Sequence, residues 1–213
     1  MNFKPKEIHA GLFILILHIV GIVGYLVPAL NAYFLLLTPF NLLLTGLLLI
    51  YLNRKNQIGG EIYLLAVFVI GVSVEIVGVK TGVLFGEYQY GSTLGFKVMD
   101  VPLIIGMNWL VLGYAFGSIC KRFFGSSKIL SIILAALSMV LLDFIIEPIA
   151  IRYDYWSWEL VHVPLRNYIG WFVVALLVQF LLQRLDLQKL YKFALLVVIS
   201  QSVFFIMLNL LSN

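Results

Sequence analysis

Residues 61–90 read EIYLLAVFVIGVSVEIVGVKTGVLFGEYQY. From Glu61 to Lys80 the stretch is an apolar run of about the 20 residues a helix needs to cross a hydrocarbon core roughly 30 Å thick. One carboxylate, Glu75, stands inside it, and glycines follow at Gly78, Gly82 and Gly86 before Glu87, Tyr88 and Tyr90. The run decides the fold class, and the residues at its end raise the question of function.

The same pattern extends over the whole chain. Of 213 residues, 62% are hydrophobic and 11% charged, with mean hydropathy +1.06. Soluble domains carry about 25% charged residues, so lipid must cover much of this surface. Seven segments are long and apolar enough to span: about 8–27, 31–52, 61–80, 101–122, 128–147, 166–184 and 190–211. The expectation is a single all-α, polytopic transmembrane domain over 1–213. The first apolar run is too long for a signal-peptide core and reads as a retained span.

Orientation follows from the basic residues. With a cytoplasmic N-terminus, Lys4, Lys6, Arg54, Lys55, Lys121, Arg122, Lys128, Arg184, Lys189 and Lys192 lie inside. Lys80, Lys97, Arg152 and Arg166 lie outside, a split of 10 to 4 that accounts for all 14 Lys and Arg. The two longer connections, 81–100 and 148–165, then share the outer face, and a bacterial inner membrane is the expected location. The net charge of +4 is scattered through short loops and does not suggest nucleic acid. Cys120, the single cysteine, excludes an intramolecular disulfide and reads as a small apolar filler.

Ionisable groups inside a membrane are costly, so each is a functional hypothesis. Glu75 falls five residues from the outer end of the third span. Asp143 falls four from the outer end of the fifth, and Glu147 at that end. Asn108 and Trp109 are expected roughly 10 Å inside the fourth span, while Asn167 and Trp171 begin the sixth. All converge on the outer half of the membrane. Asp143 and Glu147 share a helix face at i,i+4 spacing. Two carboxylates in a low-dielectric site resist double ionisation, so one is expected to keep its proton and to serve as a general acid. The bland reading is that Arg152, Arg166 or Lys80 neutralises them.

Tyr88, Tyr90, Trp109, Trp156, Trp158 and Trp171 on the same side suit an interfacial belt, or a pocket for an apolar ligand whose rings also stabilise a cation. Gly113 and Gly117 have the small-xxx-small spacing of close helix packing. Gly82 and Gly86 suit a turn out of the third span. His18 reads as a packing residue, and Gln179 and Gln201 as interhelical hydrogen-bond partners. Only His9, His18 and His162 are present, without metal-ligand spacing, which disfavours a di-iron histidine box. No metal or other cofactor is expected. No phosphate loop, dinucleotide fingerprint or GxSxG occurs.

The blocks EIVGVKTGVLFGEYQY, VPLIIGMNW, LLDFIIEPIA, YDYWSW and VPLRNYIGWF follow one another over about 74–172. In that order they resemble the carotenoid biosynthesis membrane proteins, a family that includes bisanhydrobacterioruberin and carotenoid 1,2-hydratases. One departure is WSWELVHVPL, where glycine and tyrosine are expected before VPL. The resemblance implies addition of water across the C1–C2 double bond of an acyclic, lycopene-like carotenoid held in the bilayer. The residues fit that chemistry: protonating an unactivated alkene needs a positioned acid, the tertiary cation needs aromatic and carboxylate stabilisation, and one water must be delivered. Asp143 or Glu147 is the expected proton donor, with Glu75 orienting water or stabilising the cation. Tyr88, Tyr90, Asn108, Trp109, Trp156, Trp158, Asn167 and Trp171 are the expected substrate-binding residues. The alternatives are an end-group cyclase, a carotenoid-binding or transport protein, and a proton-coupled transporter. The lack of an inverted repeat weighs against the last.

Overall fold

The computed structural model describes residues 5–53, 58–160, 162–184 and 190–212. Lys4, Arg54, Lys55 and Lys189, used above for orientation, lie outside them. Among the described residues, seven helices are long and apolar enough to cross a membrane. They are α1 (Pro5–Leu26), α2 (Pro28–Asn53), α3 (Ile58–Thr81), α4 (Ile104–Phe124), α5 (Lys128–Arg152), α6 (Leu165–Arg184) and α7 (Tyr191–Leu211). The protein is an all-α, multi-pass integral membrane protein.

α4 is the hub. It touches α2, α3, α5, α6 and α7, while α1 packs mainly on α7 and α2. Its glycines explain how neighbours come so close. A Cβ on Gly113 would stand 2.6 Å from a Val178 methyl, and one on Gly117 would stand 2.0 Å from Leu182. Gly71 on α3 does the same for α4, since its Cβ would meet the Trp109 side chain at 2.7 Å. Without a hydrophobic drive between helices in lipid, such close van der Waals contact is a main source of association. Gln179 adds an interhelical bond from its Nε2 to the Gly113 carbonyl at 2.9 Å.

The fifth span is longer than expected. Pro148 suggests a stop near residue 147, yet α5 continues to Arg152. Proline is tolerated in membrane helices because neighbouring groups absorb the lost backbone bond. Asp143 and Glu147 therefore lie nine and five residues inside the helix end, roughly 14 and 8 Å by helical rise. The fourth span starts later than expected, at Ile104, because Val101 and Pro102 belong to a strand. Asn108 is thus only about 6 Å into its helix.

The two long connections lie at the same end of the bundle and join each other. β1 (Tyr88–Tyr90) pairs antiparallel with β4 (Trp156–Trp158), Tyr88 opposite Trp158 and Tyr90 opposite Trp156. Around this ribbon, Asp154 Oδ2 accepts from the Ser92 amide (2.9 Å) and hydroxyl (3.1 Å), and Thr93 Oγ1 donates to the Tyr153 carbonyl at 2.8 Å. β2 (Lys97–Val98) and β3 (Val101–Pro102) form a hairpin, with Met99 and Asp100 at φ 51° and 70°, as a two-residue primed turn requires. The Lys80 ammonium pairs with Asp100 at 2.5 Å and holds that exposed carboxyl below its ordinary range. Gly82 (φ 64°) and Gly86 (φ 104°) carry the chain from α3 into the ribbon.

Candidate active site

The ribbon is a lid over the acids. Alternation along a strand sends Tyr88 and Tyr90 to one face with Gln89 on the other, and likewise separates Trp156 and Trp158 from Ser157. The four rings point down onto the carboxylates. Glu75 Oε2 accepts from the hydroxyls of Tyr88 (2.6 Å) and Tyr90 (2.7 Å), and its Oε1 accepts from Trp109 Nε1 at 3.0 Å. Burial, with the Glu75 charge next, pushes both phenols well above their ordinary range, so they remain donors. Trp109 is completely buried and stacks on Trp171, with ring centroids 4.1 Å apart and planes 21° from parallel.

Glu147 is held in the same style from the other strand. Its Oε2 accepts from Trp156 Nε1 (2.9 Å) and Trp158 Nε1 (3.1 Å). The Asn167 amide then bridges the pair on α5, donating to Glu147 Oε1 at 3.2 Å and to Asp143 Oδ2 at 3.0 Å. Both hydrogens of one NH₂ are used, which fixes the two carboxyl groups relative to each other.

The three acids differ in how fully they are satisfied. Glu75 and Glu147 each receive three N–H or O–H donors. That suits acceptor-only carboxylates, because a protonated carboxyl would need an acceptor for its own hydrogen. Asp143 receives one donor, at Oδ2; among the described residues none reaches Oδ1. Among the described residues, no Lys or Arg forms an ion pair with any of the three. Lys80 is taken by Asp100, and the Arg152 guanidinium binds the carbonyl and hydroxyl of Ser212. The bland reading of neutralisation by a neighbouring Arg or Lys therefore gives way to stabilisation by neutral donors.

Two cavities meet at Asp143. The first offers the centre of a water molecule about 20 Å³ and is lined by Glu75, Asp143, Glu147, Asn108 and Asn167 with the rings of Tyr88, Tyr90, Trp156, Trp158 and Trp171. That is room for roughly one water among several polar partners. The second measures about 390 Å³ and runs between α1, α2, α5 and α7, walled by residues such as Leu17, Phe34, Leu37, Ile146 and Phe204. Asp143, Asn108, Ile105 and Trp156 line both. Val20, Leu37 and Phe40 line the second cavity while standing 48%, 52% and 63% exposed, so it opens toward lipid. At its upper end the hydroxyls of Tyr25, Thr38 and Tyr155 hydrogen-bond to one another, Tyr25 to Tyr155 at 2.5 Å.

A model of the carotenoid biosynthesis protein family matches residues 30–213. The chain belongs to that family. One member-like relative, the bisanhydrobacterioruberin hydratase of Haloarcula japonica, is 27% identical over 172 residues, covering 76% of this chain. The chain spans 58% of that relative's length. No solved structure matches.

The family match also covers α2 and α7, where hydropathy alone had been informative. The apolar cavity they help to form was not foreseen from the sequence. Leucines facing lipid and leucines facing a cavity between helices carry the same hydropathy, so no sequence signal separates them. Three polar residues at mid-span, His18, Asn41 and Gln201, mark the cavity side in retrospect.

Proposed function

We propose that this protein hydrates a terminal double bond of an acyclic carotenoid, with Asp143 as the proton donor. The observation that carries the reading is the position of Asp143 at the junction of a water-sized polar cavity and a long apolar one. The polyene lies in the apolar cavity with its end group against Asp143, entering from the bilayer. Asp143 gives its carboxyl proton to C2; the π pair forms the new C–H bond and leaves a tertiary cation at C1. Glu75 and Glu147, ionised and anchored by fixed donors, stabilise that cation electrostatically, together with the ring faces of Trp156 and Trp171.

The water held among the acids then attacks C1 through its oxygen lone pair. The resulting oxonium loses a proton to the Asp143 carboxylate, which restores the acid. The sum is alkene plus water giving a tertiary alcohol, and no electron changes hands. The Asn167 amide, Trp109 and the lid rings of Tyr88, Tyr90 and Trp158 act as positioning residues, since they hold the carboxyl groups in place.

Acyclic carotenoid such as lycopene, produced in cells with and without this protein and analysed by mass spectrometry, tests the reading. A product heavier by one water is expected. An isomer of unchanged mass would replace hydration by end-group cyclisation, and unaltered pigment bound to purified protein would favour a binding or transport role. A bacterial inner membrane with the lid on the outer side fits the basic-residue asymmetry, and labelling of a cysteine placed at Gln89 from either side of the membrane tests it.

A further inference from the structure

The site proposed above spends one water per turnover, and the polar cavity has room for about one. The apolar cavity is a poor supply line for it. Leu17, Phe34 and Phe204 are among its walls, and a polyene lying there fills the way. The lid offers another route. On its outer side, between the turn from α3 into β1 and the segment after β4, lies a space of about 460 Å³ lined by residues that include Gly86, Glu87, Trp158, Glu159 and Arg166. Glu87, Glu159 and Arg166 are exposed, so this vestibule is open to water.

Trp158 lines both the vestibule and the polar cavity, and there the wall between them is one side chain thick. Adjacent residues border the two spaces on either side of it: Phe85 the inner and Gly86 the outer, Asn167 the inner and Arg166 the outer. Trp158 sits at the end of the ribbon, opposite Tyr88, and beyond it the Glu159 amide donates to the Glu87 carbonyl at 3.0 Å. Its indole is held by the bond from Nε1 to Glu147 Oε2 at 3.1 Å and by the Tyr88 ring, with centroids 5.2 Å apart. A Cβ at Gly86 would stand 3.5 Å from Cζ3 of the indole, so bare backbone borders the ring at that edge. When Trp158 turns away, Glu147 keeps the donors of Trp156 and Asn167. The two indoles on Glu147 Oε2 thus face opposite supplies, Trp156 the apolar cavity and Trp158 the vestibule.

The geometry points to Trp158 as a water gate: its indole swings into the vestibule to admit water from the outer side, then returns and closes the polar cavity. The two substrates reach Asp143 by separate routes, the carotenoid from lipid and water through the lid, so a bound polyene does not block its own co-substrate. Closure also gives Glu147 back its third donor before the cation forms and keeps further water out. The use made of the water rests on the hydratase reading; the route does not.

Water exchange, measured without turnover, tests the gate. Protein in lipid nanodiscs is mixed rapidly with water enriched in oxygen-18 and pulsed with hydroxyl radicals. Mass spectrometry then follows heavy oxygen entering oxidised Tyr90 and Trp171, which border the inner water. The native Cys120 is buried, so a bulky maleimide reacts at an introduced cysteine. On Arg166→Cys, in the vestibule, the label should slow exchange to a small fraction of the wild-type rate; on Gln89→Cys, outside the vestibule, it should leave the rate unchanged. Trp158→Ala should speed exchange about tenfold, the population shift expected from removing one hydrogen bond to a charged group. Exchange indifferent to the Arg166 label, slowed equally by the Gln89 label, or unmoved in Trp158→Ala would overturn the gate and bring water in by another path. Exchange that follows these expectations, with no alcohol formed from an acyclic carotenoid, would uphold the gate and sink the hydratase reading alone.

Discussion

Replacing Asn167 by leucine removes the one side chain that joins the acid to its neighbour. The Asn167 amide is 2% exposed and donates at 3.0 Å to Asp143 and at 3.2 Å to Glu147. Hydrogen bonds to charged groups contribute about 1.5–3 kcal/mol each. Leucine has similar bulk, so packing is largely kept while both donors vanish. Losing one bond fully and the other in part costs the transition state about 3–4 kcal/mol, a fall of roughly 10²–10³ in kcat. KM should move little, because the amide faces the acids and the apolar wall for the chain is untouched. The assay is conversion of carotenoid by membranes containing equal amounts of folded protein, quantified by chromatography and mass spectrometry. Activity within threefold of wild type would refute the reasoning. So would a loss that tracks only the amount of folded protein.

Trp109→Phe retains a ring against Trp171 but deletes the Nε1 donor to Glu75; kcat should drop about tenfold with a thermal midpoint within a few degrees of wild type. Gly117→Ala would press a Cβ to 2.0 Å from Leu182 and 2.4 Å from Gln179 Oε1, and should destabilise by about 1–3 kcal/mol in thermal unfolding in detergent. Gly86→Ala, at φ 104° and with Pro164 at 2.7 Å, should loosen the lid, seen as faster protease cleavage near residue 87 and a lowered kcat. Lys80→Ala should leave the unfolding midpoint unchanged, since both partners of its ion pair are exposed.

Why some features were readable from sequence and others were not follows from the solvent. Hydropathy reports on contact with lipid, so all seven spans could be placed. Glu75, Asp143, Glu147 and Asn167 stood out because polar groups inside apolar runs are rare. The end of α5 was misjudged at Pro148, since the penalty that stops a helix in water is relieved in a packed bundle. A water-facing lid after the third span could be expected, but the strand pairing that builds it was invisible for another reason. β1 and β4 are three residues each and lie 65 residues apart or more, too short for a period-2 signal and too distant for a turn motif. Trp109 could be flagged as an aromatic near the acids, but only the three-dimensional arrangement shows its indole N–H spent on Glu75 and its ring withheld from the cavity. The apolar cavity depends on which faces of α1, α2 and α7 turn inward, information that leucine content does not carry.

The most direct test of the account follows the atoms themselves. Membranes carrying the protein are incubated with an acyclic carotenoid in water enriched in oxygen-18 and deuterium, alongside Asp143→Asn. The account predicts a wild-type product carrying one heavy oxygen and one carbon-bound deuterium, and no product from the variant. A variant that still forms the labelled alcohol at a wild-type rate, or a wild-type product without heavy oxygen, would contradict it.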